Sequence, residues 1–381
     1  MKTIQPILFA LLLLTACSDT VEEAARTCPT GQEINPISGV CVGPTASTNN
    51  RVVVDLGNDS SPNEVDVGVV TPDVGVEPDM GNPLADMGVI DTDMGKPVEN
   101  LIRFVAIGDQ GTGSATQRKI GAMMGTVCQS LGGCDFGLLL GDNIYDSGVS
   151  SIDDALWLSH FEEPYGGLPF SFYAVLGNHD LGGDGLGLDL DQNKATYQVD
   201  YGQTNTQWKM PARYYDFSNG PAHFVALDTT AIFFGQDSNQ RRDVPAMIAR
   251  AGNRWKIAFG HHPLYSNGPH GNAGNYDGVP FVPIANGENV RTFIESKICG
   301  QVDFYICGHD HSRQDLVTDC QGTQFLVSGA GAKTTELGGT NPVHYESDLE
   351  GFLLIEVTDT RFTIRFYDEN GVMDHERTVT R

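Results

Sequence analysis

The sequence predicts an α/β fold in which two packed sheets are flanked by helices. Three observations carry that expectation. From Leu101 onward, apolar runs of strand length alternate with stretches of helical spacing, the pattern of a largely parallel sheet. The closing runs follow one another without an intervening helix, which calls for an antiparallel portion. Five of the strand runs lead directly into a short glycine-bearing motif containing an acid, an amide or an imidazole.

In order, the predicted strands are LIRFVAI, FGLLL, FYAVL, HFVAL, KIAF, VDFYIC, QFLVSG, GFLLIEV and FTIRFY. Helical spacing marks TQRKIGAMMGTVCQSL, the stretch around DDALWLSHF, and ENVRTFIESKI. In α/β sheets, binding sites gather beyond the carboxyl ends of strands, where loops converge. Loops from five separate strands can therefore deliver side chains to one place.

Composition divides the chain ahead of this domain. Residues 1–17, MKTIQPILFALLLLTAC, combine a lysine, an apolar run and small residues before Cys17. The run is too short to span a bilayer and reads as an export signal. Leu14-Thr15-Ala16-Cys17 resembles the bacterial lipobox, in which the signal is removed and the cysteine takes lipid; an ordinary cleaved signal is the alternative. Residues 18–50 form a short cysteine-bearing segment. Residues 51–100 repeat Asp-apolar-Gly in PDVG, PDMG, ADMG and TDMG, a disordered acidic tether, since Gly and Pro interrupt secondary structure and the acids repel. The roughly 80 residues between Cys17 and the domain, residues 101–381, would hold it on the order of 50 Å from its anchor.

The formal charge is −26, with about a third of the excess in the tether, and it excludes a nucleic-acid grip built on basic patches. Export admits disulfides. Cys28 with Cys41, Cys128 with Cys134, and Cys299 with Cys320 are the plausible bridges, and Cys307, inside VDFYIC, reads as a buried free thiol.

The five motifs are GDQG with Asp109, GDNIY with Asp142 and Tyr145, GNHD with Asn178, His179 and Asp180, GHHP with His261, and GHDH with His309 and His311. A single Gly-Asp after a strand occurs in many turns. Together, two acids, a phenol, an amide and three imidazoles match a pair of small, highly charged metal ions, and that assembly points to hydrolysis of phosphate esters.

From about Arg103 to the C-terminus the chain resembles the calcineurin-like metallophosphoesterases, and more closely the purple acid phosphatases of the small, mammalian tartrate-resistant type. Tyr145, three residues after Asp142, is the discriminating position, because a tyrosinate favours ferric iron. The resemblance implies the αββα sandwich of the metallo-dependent phosphatases. It further implies that Asp109, Asp142, Tyr145 and His311 hold Fe(III), while Asn178, His261 and His309 hold Fe(II), Zn(II) or Mn(II), with Asp142 bridging. The division agrees with ligand hardness. The implied reaction is direct in-line attack of a metal-bound hydroxide on a phosphate monoester, with no phospho-enzyme. His179 would hydrogen-bond the phosphate or leaving oxygen. His270, in PLYSNGPHGNAG, would donate a proton, although the relatives have Glu-His-Gly where this chain has Pro-His-Gly.

Other residues receive structural readings. His262 packs beside a ligand, Asp228 is a structural acid, and Asp180 orients a neighbour by hydrogen bonds. His160, His223, His344 and His375 read as surface residues. Two loops, LGGDGLGLDLDQN and residues 330–351, would rim the site and set substrate choice. The latter falls where mammalian relatives carry a repressive loop, but the sequences differ. The expected protein is thus an exported acid phosphatase, monomeric and lipid-anchored in a bacterial envelope through Cys17. A phosphodiesterase or nucleotidase with the same ions, or a non-catalytic surface-binding lipoprotein, are the alternatives.

Overall fold

The computed structural model describes residues 100–182, 191–281 and 285–381, together with two short strands nearer the N-terminus. In chain order the elements begin with β1 (Glu33–Ile34), β2 (Cys41–Val42), β3 (Ile102–Ile107), α1 (Ala115–Ser130), β4 (Phe136–Leu139), α2 (Glu163–Tyr165) and β5 (Ser171–Ala174). They continue with α3 (Asn178–Leu181), α4 (Gln192–Thr204), β6 (Trp208–Lys209), β7 (Tyr215–Asn219), β8 (Ala222–Ala226), α5 (Thr229–Phe233), α6 (Ser238–Ala249) and β9 (Trp255–Phe259). The last part holds α7 (Glu288–Lys297), β10 (Phe304–Cys307), β11 (Arg313–Leu316), β12 (Gln324–Ser328), β13 (Val343–Ser347), β14 (Gly351–Val357), β15 (Arg361–Asp368) and β16 (Met373–Thr380).

The chain divides into two units, Met1–Gly88 and Val89–Arg381. In the first, β1 and β2 pair antiparallel, with Glu33 opposite Val42 and Ile34 opposite Cys41. The expected signal at residues 1–17, the tether up to residue 99 and the Cys28–Cys41 bridge lie outside the described residues. No helix among the described residues is long and apolar enough to cross a membrane.

The second unit holds two seven-stranded sheets, ordered β16-β15-β14-β3-β4-β5-β6 and β13-β11-β12-β10-β9-β8-β7. Strands β3 to β6 run parallel, as do β8, β9, β10 and β12. The expected antiparallel portion is β14, β15 and β16, laid against β3.

The central strands β3, β4, β8, β9, β10 and β12 are almost wholly apolar because both their faces are covered, whereas the edge strands β13 and β16 leave alternate residues exposed. Phe104 and Phe136 stack at 5.0 Å within one sheet, and both meet Phe224 of the other sheet edge-on at 5.2 Å. Phe304 and Phe362 close the same interface with ring centroids 3.9 Å apart. Each such ring contributes roughly 1.5–3 kcal/mol by burial. Along β12, Leu326 joins this central core, whereas Phe325 and Val327 join the core under α6 and α7, the period-two alternation of a strand. Ile120, Met124 and Val127 of α1 also pack into the first core. Helix, sheet, sheet, helix is the resulting order of layers.

Two expectations change. The stretch around DDALWLSHF is helical but wound as a π-turn over Leu158–Glu162. Pro164 follows at once and has no N–H for the carbonyl of His160, which instead accepts from Gln117 Nε2 at 2.6 Å. His223 is not a surface residue: it lies in β8, whose residues are all buried, and its ring meets Ser218 Oγ at 2.8 Å and the Met247 carbonyl at 2.9 Å. His160 and His375 are half-buried, and His344 is exposed. The Cys128–Cys134 and Cys299–Cys320 bridges are both present, and Cys307 is a buried free thiol. Such bridges suit an oxidising, extracytoplasmic compartment.

Candidate metal centre

Each ligand residue follows the end of its strand by two to four residues: Asp109 after β3, Asp142 after β4, Asn178 after β5, His261 after β9, His309 and His311 after β10. Asp109, Asp142 and His309 take left-handed φ values of 57°, 51° and 70°. For a residue with a side chain that conformation costs on the order of 1 kcal/mol or more, and it persists where surrounding contacts over-determine it. The glycines before the ligands allow the loops to close. A Cβ on Gly141, at φ 93°, would lie 2.6 Å from His261 Nδ1, and one on Gly308 would lie 2.4 Å from Asp109 Oδ2.

All seven residues meet. Tyr145 Oη lies 3.2 Å from Asp109 Oδ1 and 3.2 Å from His311 Nε2, and His311 Nε2 is 3.6 Å from Asp109 Oδ1. On the other side, His261 Nε2 lies 2.9 Å from Asn178 Oδ1, 3.1 Å from His309 Nδ1 and 3.5 Å from Asp142 Oδ1. Asp142 lies close enough to both sides to interact with the Tyr145 hydroxyl as well as with His261, so its carboxylate stands between the two groups. Asp109, Asp142 and His261 offer ligand atoms all within 4.8 Å of one another.

These donors fit cations. His261 Nδ1 donates to the Leu140 carbonyl at 2.9 Å, which leaves Nε2 as a bare lone pair. Around it stand an amide oxygen, a carboxylate and a second imidazole nitrogen, with at most one proton among the four atoms. Burial and the neighbouring Asp142 push the Asp109 carboxyl well above its ordinary range. For Asp142 burial acts the same way, but the charges of His261 and His179 prevail and hold it low. Burial and the two carboxylates push the Tyr145 phenol far up, so only a bound cation would make it a phenolate. Burial lowers His261 and His309 and brings His311 down to about 4, leaving neutral imidazoles of the kind metals take.

His179 and His270 flank this cluster. The His179 ring lies 4.7 Å from that of Tyr145, its Nδ1 is 2.8 Å from the Asp146 carbonyl, and its backbone N–H donates to Asp142 Oδ1 at 2.9 Å. His270 stacks on His309 at 4.1 Å and bonds Asp277 Oδ1 through Nδ1 at 2.8 Å. Burial would lower its pKa, but the Asp277 hydrogen bond and the charges of Asp310 and Asp142 prevail and raise it.

The supporting residues are as expected in part. Asp180 accepts from the backbone N–H groups of Gly177, Asn143 and Ile144 and from Gln198 Nε2, at 2.8–3.1 Å. Burial and the Asp142 charge nevertheless raise it to about 7. Asp228 caps α5 through the Ala231 N–H at 2.8 Å and pairs with Arg213, a structural role. His262 bonds Thr229 Oγ1 at 3.0 Å and stacks on Phe233. Of the glycine-rich rim loop, residues 183–190 lie outside the described residues, and Asp191 caps α4.

Sequence reasoning missed four contributors. Thr229 Oγ1 accepts from the N–H groups of both His261 and His262 at 3.0 Å. The Leu140 carbonyl fixes the His261 tautomer, and Asp310 accepts from the His270 N–H at 2.9 Å. Asp310 had a signal, since it lies within GHDH. Lys333, whose Nζ stands 3.4 Å from the centroid of the Tyr145 ring, had none.

The chain matches the calcineurin-like phosphoesterase family over residues 102–313. It is 27% identical over 305 residues to purple acid phosphatase 3 of Arabidopsis thaliana, covering 73% of this chain and 77% of that one. With human tartrate-resistant acid phosphatase type 5 it shares 26% identity over 311 residues, covering 71% of this chain and 88% of the relative. Among solved structures, GAP50, the anchor in the inner membrane complex of Plasmodium, superposes with a TM-score of 0.60 at 19% identity, covering 74% of this chain and 89% of GAP50. The purple acid phosphatase PPD1 from yellow lupin seeds gives 0.54 at 18% identity, covering 74% of this chain and 54% of PPD1. At such identities these two likenesses establish the fold. The family match covers more than half of the chain, and the protein therefore belongs to the calcineurin-like phosphoesterase family, as a hydrolase of its purple acid phosphatase type.

Proposed function

We propose that the protein is an exported acid phosphatase that cleaves phosphate monoesters at a binuclear centre. In this reading Asp109, Asp142, Tyr145 and His311 hold Fe(III), and Asn178, His261 and His309 hold a divalent ion, with Asp142 shared. Two ions there would neutralise the phosphoryl oxygens and acidify water for in-line attack, which makes a nucleophilic side chain unnecessary. The carrying observation is the His261 Nε2 lone pair facing Asn178 Oδ1 at 2.9 Å, on the far side of Asp142 from Tyr145 and Asp109.

His179 and His270 serve the substrate. With Nδ1 of His179 committed to the Asp146 carbonyl, Nε2 is left to bond a phosphoryl oxygen. In His270 the Nδ1–H donates to the Asp277 carboxylate, leaving the Nε2–H of the imidazolium to protonate the departing alkoxide, and its raised pKa keeps that proton available. Export through residues 1–17, with lipid on Cys17 and a tether over residues 51–100, would place the domain at the envelope.

The test is a visible spectrum and metal analysis on one purified sample. Absorbance from a tyrosinate–ferric band, lost in Tyr145→Phe together with iron, supports the assignment. Unchanged colour and iron in Tyr145→Phe refute it. Cleavage of p-nitrophenyl phosphate but not of its bis ester separates a monoesterase from a phosphodiesterase. A lack of activity on both, with metal bound, would favour a binding protein.

A further inference from the structure

The chain carries an ammonium at its metal centre that neither the ligand set nor the proton donors use. Lys333 Nζ stands 3.4 Å from the centroid of the Tyr145 ring. Two backbone hydrogen bonds fix the segment that bears it. Gly331 N–H donates at 3.1 Å to the carbonyl of Gly108, which precedes Asp109, and Thr335 N–H donates at 3.1 Å to the carbonyl of His311. Lys333 is thus pinned from both sides to loops that bring candidate metal ligands.

Among the described residues no carboxylate pairs with this ammonium and no acceptor takes its protons. A half-buried lysine without either partner is costly unless a ligand completes it. The nearby aromatic ring holds the cation in place by cation–π attraction and does not neutralise it. Thr335 Oγ1, two residues on, is likewise buried without a partner among the described residues. The nearby acids are engaged elsewhere: Asp109 and Asp142 belong to the candidate metal group, and Asp277 and Asp310 bond the ring and the backbone N–H of His270, so the ammonium is left for an anion from outside.

We propose that Lys333 is a specificity-determining residue that binds a second anionic group, a carboxylate or phosphate, on the organic part of the substrate. The inference rests on the phosphomonoesterase reading. It narrows the substrates to phosphomonoesters carrying another negative charge close to the ester. The lysine takes part in no bond-making step. It favours one class of leaving group through a charge-assisted hydrogen bond.

A matched pair of esters tests this on the metal-loaded full chain: 3-phosphoglycerate and glycerol 3-phosphate, which differ by a carboxylate in place of an alcohol. Wild type should favour the carboxylate, mainly through KM. In Lys333→Met the ratio of the two kcat/KM values should fall about tenfold, and Lys333→Arg should restore most of it. Equal losses on both esters would overturn the proposal, because Lys333 would then serve the common phosphoryl group or the fold. An unchanged ratio would overturn it too. Calorimetric binding of 3-phosphonopropionate against propylphosphonate reads the same preference without turnover. If wild type hydrolyses neither of these esters nor p-nitrophenyl phosphate, the monoesterase reading fails, and the binding ratio still decides for or against Lys333.

Discussion

His261 and Asn178 meet Nε2 to Oδ1 at 2.9 Å, although 83 residues separate them in the chain. Neither atom carries a proton, because His261 donates from Nδ1 to Leu140 and the amide presents its oxygen. Two partly buried lone pairs at that distance are repulsive on their own and become favourable around a shared cation. His261→Ala should therefore lower the metal content by about one ion per chain and activity by about a hundredfold or more. Metal analysis of the purified variant beside wild type checks it; full metal content would contradict the assignment.

Asp180 acts one layer out. Its carboxylate ties the loop after β4 to the loop after β5, since the donors come from Asn143 and Ile144 on one side and Gly177 on the other. In Asp180→Asn, one oxygen becomes an NH2 group facing N–H donors. The expected cost is about 2–3 kcal/mol of stability, with metal affinity reduced about 10–100-fold. Denaturant titration and competition against a chelator measure the two effects separately. Loss of stability at unchanged metal affinity would show that Asp180 holds the loops but does not set the ligands.

The ligands were legible because each motif is local. An apolar run ends, a glycine follows, and a ligand-type side chain comes next, so position along the strand alone places Asp109, Asp142 and His261 at the same edge. What escaped is what depends on partners far away in the chain. Lys333 reaches the site only because residues 331 and 335 bond to Gly108 and His311, and no local pattern records that. His223 was misjudged because burial of β8 comes from its neighbours β7, β9 and α6 rather than from its own sequence. Strand β16, MDHERTVT, has no apolar run because every second residue faces solvent and two of its inward positions, His375 and Arg377, pair with the buried Asp315 instead. Helix α6 was hidden by its polar composition and by Pro245 inside it.

Glu356 gives a prediction on acid stability. It sits on β14 between Arg103 of β3 at 3.1 Å and Arg365 of β15 at 2.7 Å, and Arg365 continues to Glu376 of β16. Burial would raise the Glu356 pKa, but its bonds to Arg365 and Arg103 prevail and lower it. A carboxylate whose folded pKa is depressed stabilises above the unfolded pKa, and that contribution is lost as pH falls through the folded value. Glu356→Gln should cost about 1 kcal/mol at pH 7, the modest worth of a partly exposed network. The gap to wild type should close as pH falls below about 4. Chemical denaturation of both proteins at neutral and acid pH decides it, and a gap that is constant with pH would mean that packing, not charge, is involved.

His270 should reveal itself through the leaving group. Its ring lies on His309 at 4.1 Å, close to the metal ligands, while Asp277 fixes the imidazole from the outer side. A proton donor matters most when the departing oxygen is strongly basic and little when it is already a good leaving group. His270→Asn should therefore lower kcat about a hundredfold on an alkyl phosphate, and less than about tenfold on p-nitrophenyl phosphate. A structural role would depress both alike, and so would a role in binding the phosphoryl group. The slope of log kcat against leaving-group pKa, steeper in the variant than in wild type, is thus the signature of proton donation. Parallel slopes would remove His270 from that role and leave it as a ring packed on His309.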